Sequence, residues 1–417
     1  MTTQGSGQGA LNQQQQIFVN GQYRPSSDDT QFPVTNPMTG ETIYTCSSAT
    51  VQDVSEAVET AHTAFKTWSR TSPSKKRAIF LKAADILETY IHGDAPDILR
   101  QEISATESWI KVNIFATAGV LRETAGLVTH IKGKLFQQIG PGPQSSAIAC
   151  PLICGNTVVL KPSEKSPKSQ NLVIKALTEA GLPTGCISFL PCSPARAAEI
   201  TEFAVKHPKI RHVNFTGSER VGTIIAGWAA SCLKKCVLEL GGKAPAIVRE
   251  DANLDDAVEA IVFGGLSNNG QVCMSTERVI VHKSIADEFK QKLLARVGSL
   301  KCGNHMLEKD ISISGLFTPT SATRVLSLTK SAVDAGATLL LGDLQIGGPN
   351  KTIIRPHILE GVTRDMRLYH EESFGPVMVL IEFTDDEEAL NLANDKIDEK
   401  ASGKSVQVRI IVFTPSI

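Results

Sequence analysis

Two periods of apolar residues organise this chain. From Val51 to about Lys134 the apolar positions recur at three and four, as in "DVSEAVETAHTAFKTW" and "KKRAIFLKAADILETY", and this spacing predicts amphipathic helices. Ahead of them, "IFVNGQYRPSS" and "FPVTNPMTGETIYTC" read as short strands joined by turns at Asn20-Gly21 and Thr39-Gly40. "FQQIGPGPQSS", Phe136 to Ser146, breaks the helical period with Gly, Pro and Ser and reads as a loop.

Beyond the loop, strands and helices take turns. "NTVVLK" reads as a buried strand, and "PKSQNLVIKALTEAG" as a helix stopped at Gly181 with Pro183 just past it. "CISFL", "HVNFTG" and "KCVLEL" read as strands, separated by the helices "ARAAEITEFAVK" and "RVGTIIAGWAASCL". This alternation predicts an α/β fold with a parallel sheet and right-handed crossovers. A second alternating region runs from "APAIV" to about "MVLIEF" and holds the helix "SIADEFKQKLLARV", where Ser284 and Asp287 suit a capping box. The end, "DKIDEKASGKSVQVRIIVFTPSI", closes on an apolar, strand-like run with no later partner. No internal repeat is visible.

Composition narrows the class. At 417 residues the chain is long enough for two domains, at about 100–200 residues each. A net charge of −1, with basic and acidic residues interspersed, offers no basic face for phosphates, so nucleic acid is a poor partner. Nine cysteines without CxxC pairs or matching histidine spacings argue against a disulfide framework or a zinc site and favour a reducing, cytoplasmic setting. The first 16 residues read as a disordered polar tail rather than a signal peptide. No apolar run approaches the ~20 residues that span a bilayer, so no membrane association is expected.

The candidate chemistry lies on turns. "NFTGSERVG" is a strand, a turn and a helix start, in which Gly217, Ser218 and Gly222 could place helix amides before an anion; alone it reads more readily as a tight structural turn. "VVLKPSE" puts Lys161, Ser163 and Glu164 at the carboxyl end of a strand, where a doubly wound sheet holds a ribose, or where a solvated charged loop would sit. "LELGGKAP" brings Glu239 and Leu240 to a strand end before two glycines, a place for a general base whose apolar neighbours would raise its pKa, or for a rim residue. Cys273 follows the turn Gly270-Gln271-Val272, where backbone amides favour a thiolate nucleophile. A lone cysteine is more often a small buried hydrophobe, and the other eight are left at that reading. "EESFGPV", Glu371 to Val377, is an acidic turn entering a strand.

In succession, "VVLKPSE", "GLPTG", "NFTGSERVG", "LELGGKAP", "GQVC" and "EESFGPV" resemble the NAD(P)-dependent aldehyde dehydrogenase superfamily. The likeness covers roughly Ile17 to Gln138 and Ala147 to Asp395, and "GQVCMSTERVIV" is most similar to the salicylaldehyde and vanillin dehydrogenases. It implies a Rossmann-type parallel-sheet NAD-binding domain over 17–242, an α/β catalytic domain over 243–395, and an unmatched tail over 396–417. It also implies oxidation of an aldehyde, an aromatic one by subgroup, to the acid. By resemblance Cys273 attacks the aldehyde carbon, and Glu239 activates the water that releases the acid. Lys161, Ser163 and Glu164 hold the adenosine ribose, and a carboxylate at Glu164 favours NAD over NADP. Ser218, with Gly217 and Gly222, lies near the pyrophosphate, Leu240 lines the cofactor, and Glu372 and Phe374 fix the nicotinamide ribose and ring.

The chain also departs from the family pattern. No "PWN" turn, whose asparagine amide completes the family's oxyanion hole, occurs anywhere in it; the segment Gln137 to Ser146 passes straight to Ala147. The strand leading into that turn is expected to be missing with it, as is the C-terminal part. Reduced activity and impaired oligomer assembly are the expected consequences. The rival expectation is a non-catalytic, truncated paralogue that binds nucleotide or a partner.

Overall fold

Local sequence sets the first elements. Asn20 and Gly21 both adopt positive φ (52° and 78°), which suits a two-residue hairpin between β1 (Ile17–Val19) and β2 (Gln22–Arg24). The computed structural model describes residues 13–130, 143–395 and 411–413. The chain divides into two compact units, the first Met1–Asn36, Glu41–Ile103 and Glu107–Glu239, the second Pro37–Gly40, Ser104–Thr106 and Leu240–Ile417.

In the first unit β3 (Gln31–Thr35) pairs antiparallel with β4 (Thr42–Ser47). Four helices follow: α1 (Val51–Trp68), α2 (Pro73–Thr89), α3 (Ala95–Ile103) and α4 (Glu107–Gly126). Thr50 and Asp53 close a capping box on α1. Then come α5 (Pro143–Ile153), β5 (Val158–Leu160), α6 (Pro167–Glu179), β6 (Ile187–Phe189), α7 (Ala197–Lys206), β7 (His212–Gly217), α8 (Glu219–Ser231) and β8 (Lys235–Leu240). Gly181, at φ 100°, lies just beyond the end of α6, where a residue with a Cβ would be strained. Phe80, Leu121, Leu152, Ile174, Leu177 and Phe189 form the main core, and Trp68 donates its indole N–H to Leu152 O at 2.9 Å.

Several expectations need correction here. The strands of this unit do not form one parallel sheet: β5 and β6 are parallel, β6 and β2 flank β1 in antiparallel pairings, and β7 and β8 form a separate two-stranded sheet. Among the described residues no strand lies between β5 and β7, although α5 touches both. "NTVVLK" is therefore an edge strand, half-buried rather than buried. Pro143 to Ser146 belong to α5, because proline's missing N–H and fixed φ fit a first helical turn; 131–142, the rest of the expected loop and chain jump, lie outside the described residues. The polar tail ends sooner than residue 16: Gln15 is buried and exchanges backbone hydrogen bonds with Thr45 and Ser47.

The second unit is built on six strands in the order β11-β12-β13-β10-β9-β14, all parallel neighbours except β11 and β12. These are β9 (Ala244–Val248), β10 (Thr276–His282), β11 (Thr338–Leu341), β12 (His357–Glu360), β13 (Val377–Phe383) and β14 (Ile411–Phe413). The apolar run near the chain end thus has a partner, lying parallel to β9. Residues 396–410 and 414–417 of the unmatched tail lie outside the described residues.

Side chains alternate across this sheet. Val279, Val281, Met378 and Leu380 face α9 (Leu254–Leu266) and α10 (Ala286–Gly298), whose Ile261, Phe289 and Leu293 complete one core. Val377 and Val379 meet α11 (Pro319–Asp334) and α12 (Arg367–His370), and Ile247, Ile280 and Phe383 meet α13 (Asp386–Asn394). Burial on both faces explains the unbroken apolar runs of β9 and β13. One cap differs from expectation: Ser284 sits in a short 3-10 turn whose N-cap is His282, so α10 starts at Ala286 without a side-chain cap. The imidazole Nδ1 accepts from Ser284 N at 3.3 Å and pre-empts the serine.

Candidate active site

The turn bearing Cys273 is built from strained, pinned residues. Asn268 and Asn269 take φ of 51° and 59° and Gly270 72°, a run that reverses the chain after α9. Asn269 is buried and locked to the loop at Ser314, donating to Gly315 O at 3.0 Å and accepting from Ser314 N at 2.7 Å. Gln271 accepts from Phe317 N at 2.9 Å. Ser275 N donates to Val272 O at 2.8 Å, closing a turn with Cys273 and Met274 at its tip, and Ser275 Oγ donates to Gly270 O. The cysteine is half-buried and in no disulfide.

The neighbouring turn, Glu371 to Pro376, is held as firmly. A Cβ on Gly270 would lie 2.2 Å from Gly375 O, so only glycine lets the two turns approach this closely. Phe374 carries φ 47°, a conformation that costs on the order of 1 kcal/mol for a bulky residue and needs external support. Glu372 accepts from Gly242 N at 3.2 Å, and a Cβ on Gly241 would overlap its carboxylate. Burial, then the nearby Glu277 charge, pushes the Glu372 carboxyl up to about 7. Leu240 precedes these glycines and is half-buried. The second unit therefore brings Cys273's turn, Glu372 and Phe374 together.

The first unit holds the remaining candidates on two turns and a strand. Lys161, exposed, follows β5 and donates to Pro162 O at 3.2 Å; Ser163 Oγ accepts from Lys165 N at 3.2 Å, and Glu164 is half-buried beside it. Ser218 is the N-cap of α8, its Oγ accepting from Val221 N at 3.5 Å. A Cβ on Gly217 would lie 2.6 Å from the Phe215 ring, and Gly222 is buried in the first turns of α8. Glu239 is half-buried near the end of β8.

Taken unit by unit, the first sets a helix N-terminus directly after β7, an arrangement able to face an anion, and the second sets the Glu372 carboxylate and the Phe374 ring on one turn next to Gly241.

Motif reading missed Glu277 and Arg324. Glu277 is buried, pairs with Lys243 Nζ at 2.5 Å, and accepts from Ser373 N at 2.9 Å and Phe374 N at 3.1 Å. Arg324 donates to Glu372 O at 3.0 Å and Ser373 O at 2.6 Å. The available signal was "TERV": adjacent charges opening a strand otherwise apolar, which are costly unless both find partners. Arg278 finds its own, donating to Lys243 O and to Leu392 O and Ala393 O at the end of α13.

A half-buried cysteine on a turn packed against the Glu371–Pro376 turn, in an α/β unit, is the arrangement of an enzyme site. Comparison with known proteins gives the family. The aldehyde dehydrogenase family model matches residues 23–147 and 143–402, and the chain belongs to that family. Salicylaldehyde dehydrogenase of Pseudomonas putida is 40% identical over 411 residues, 93% of this chain and 84% of that protein. Vanillin dehydrogenase of Pseudomonas fluorescens is 38% identical over 403 residues, 91% of this chain and 82% of that protein. The crystal structure of a salicylaldehyde dehydrogenase from Pseudomonas putida G7, complexed with salicylaldehyde, superposes with a TM-score of 0.86 at 37% identity, covering 96% of this chain and 85% of that one. Complexes with NAD are among the solved structures that share the fold. The chain is thus an aldehyde-oxidising, NAD-dependent enzyme by family, and likeness to named dehydrogenases does not favour a non-catalytic paralogue. No helix among the described residues is long and apolar enough to cross a membrane.

Proposed function

We propose that this enzyme oxidises an aromatic aldehyde through Cys273, and that Glu239 is its general base. What carries the reading is the pinned turn that presents Cys273 beside the Glu372–Phe374 turn, on a chain similar to salicylaldehyde and vanillin dehydrogenases, which are named for hydroxylated benzaldehydes. The Cys273 thiolate adds to the aldehyde carbon, forming a C–S bond and an oxyanion. Bound NAD would supply the acceptor for the hydride that leaves this carbon. Glu239 takes a proton from water, which cleaves the resulting thioester, and the acid departs as Cys273 regains its thiolate.

Lys161, Ser163 and Glu164 are assigned to the adenosine ribose, Gly217, Ser218 and Gly222 to the pyrophosphate turn, Leu240 to the cofactor wall, and Glu372 and Phe374 to the nicotinamide end. A Glu164 carboxylate repels a 2′-phosphate, so NAD is the favoured dinucleotide. We also infer slow turnover, because no asparagine turn of the family's kind is present to supply the second oxyanion donor; losing one costs about 10²–10³ in rate.

The test is NADH formation by the purified protein with salicylaldehyde, benzaldehyde and propanal in turn. The reading expects kcat/KM for the aromatic pair to exceed that for propanal by at least about 10-fold, the scale of one or two pocket contacts, with NAD preferred over NADP. Equal use of propanal would overturn the aromatic assignment. A rate matching that of an intact relative would overturn the slow-turnover inference.

A further inference from the structure

We propose that Glu277 is a positioning residue for the dinucleotide, fixing the Glu371–Phe374 turn from beneath. The inference rests on the reading above that Glu372 and Phe374 meet the nicotinamide end of NAD.

Four observations carry it. Both Glu277 carboxylate oxygens accept from Ser373 N at 2.9 Å, and Oε1 also accepts from Phe374 N at 3.1 Å. These are consecutive amides of the turn, and Phe374 holds its positive φ where they converge. Lys243 joins the two sides, its Nζ donating to Glu277 at 2.5 Å and to Glu371 O at 2.9 Å. The Arg324 guanidinium takes the carbonyls of Glu372 and Ser373 on the same turn. Five of the six backbone polar groups from Glu371 O to Phe374 N are thereby fixed by a charged side chain. Glu277 and Lys243 are only 2% and 8% exposed, so the pair is desolvated and its geometry is hard to relax.

Glu277 also lies at the start of β10, four residues after Cys273, so one strand anchors both the nucleophile's turn and the nicotinamide turn. It faces Glu372 with a like charge, while Arg324 and Lys243 oppose it. A simple counter-ion to Lys243 would need neither amide bond.

Glu277→Gln keeps the shape and removes the charge. NAD affinity, read by fluorescence titration of the whole chain, should weaken by about 10- to 100-fold, the scale of an ångström-sized misplacement. KM for the aldehyde should stay within about twofold. The acid limb of NAD binding should move to lower pH, because Glu372 loses its like-charged neighbour. Glu277→Asp, which keeps the charge, should retain the original limb. If the single variant is unstable, Lys243→Met with Glu277→Gln removes both buried charges together and is read by NAD affinity against aldehyde KM alone, because the two charges act oppositely on Glu372.

Unchanged NAD affinity overturns the proposal, and so does weakened affinity accompanied by an equal rise in aldehyde KM. Glu372→Gln, run in parallel, separates the two levels. If it leaves NAD binding intact, the reading of the turn is wrong. If it weakens binding while the Glu277 variants do not, only the role of Glu277 is wrong.

Discussion

Strands β8 and β10 look alike in sequence, yet they stand in different surroundings. "TERVIVH" has β9 and β13 as parallel neighbours, and its first six residues are buried. Among the described residues "KCVLEL" pairs only with β7, and none of its own residues is fully buried. Behind β7 and β8 the core is small, centred on Val205, Ile225 and Ala229, whereas the β10 sheet is covered on both faces. A strand owes its order to neighbours on both edges and both faces, so β10 is expected to be the firm strand of the two and β8, half-exposed, the more loosely held. The chemistry divides along this line. Cys273 precedes the firm strand, while Glu239 and the Gly217–Ser218 turn belong to the exposed pair.

The largest effect should fall on the firm side. Cys273→Ser is expected to lower kcat by at least about 10⁴-fold, the range seen when a covalent nucleophile is removed, with NAD affinity unchanged by titration. Residual turnover above that level would move the nucleophile elsewhere. Glu239→Gln should cost less, on the order of 10³-fold in steady-state rate, with a rapid first equivalent of NADH because only acid release is slowed. Absence of the burst, with both steps slowed alike, would mean that Glu239 places the cofactor rather than the water.

How far the sequence foretells this contrast depends on the range of the interaction. Local chemistry was legible: the Asn20-Gly21 hairpin, the Gly181 stop and the order of strands and helices all follow from neighbours in the chain. The family was legible because its motifs stand in order along the chain, although each alone was ambiguous. Sheet pairing was not, because "VVLK" reads as a buried parallel strand whether or not a partner lies on its far edge. Ser284 failed as a cap because His282, two residues earlier, reaches the same amide. Glu277 was overlooked because its partners, Lys243 and the Ser373 and Phe374 amides, are tens of residues away in the chain.

Hydrogen exchange tests the contrast without relying on catalysis. Amides of Val213, Phe215, Val237 and Leu238 should exchange at least about 10²-fold faster than those of Val279, Ile280 and Leu380, since local opening requires less burial to be given up. Equal protection would mean that β7 and β8 are as firmly held as β10. If NAD slowed exchange in β7 and β8 more than in β10, the cofactor would be ordering the exposed pair.

The smallest expected effect concerns Glu372. Its carboxyl sits at about 7 because burial, aided by Glu277, penalises the charged form more than Gly242 N–H, Arg324 and Lys243 relieve it. A carboxylate that accepts from ribose hydroxyls must be ionised, so the binding-competent fraction falls as pH drops through 7. If only that form binds, the apparent NAD affinity should fall by about 10-fold from pH 8 to pH 6. Glu372→Gln, which cannot ionise, should bind NAD weakly and evenly across that interval. A wild-type affinity that is flat with pH would place the titrating carboxyl away from the ribose. It would then leave Phe374, held at its positive φ, as the part of the turn that meets the cofactor.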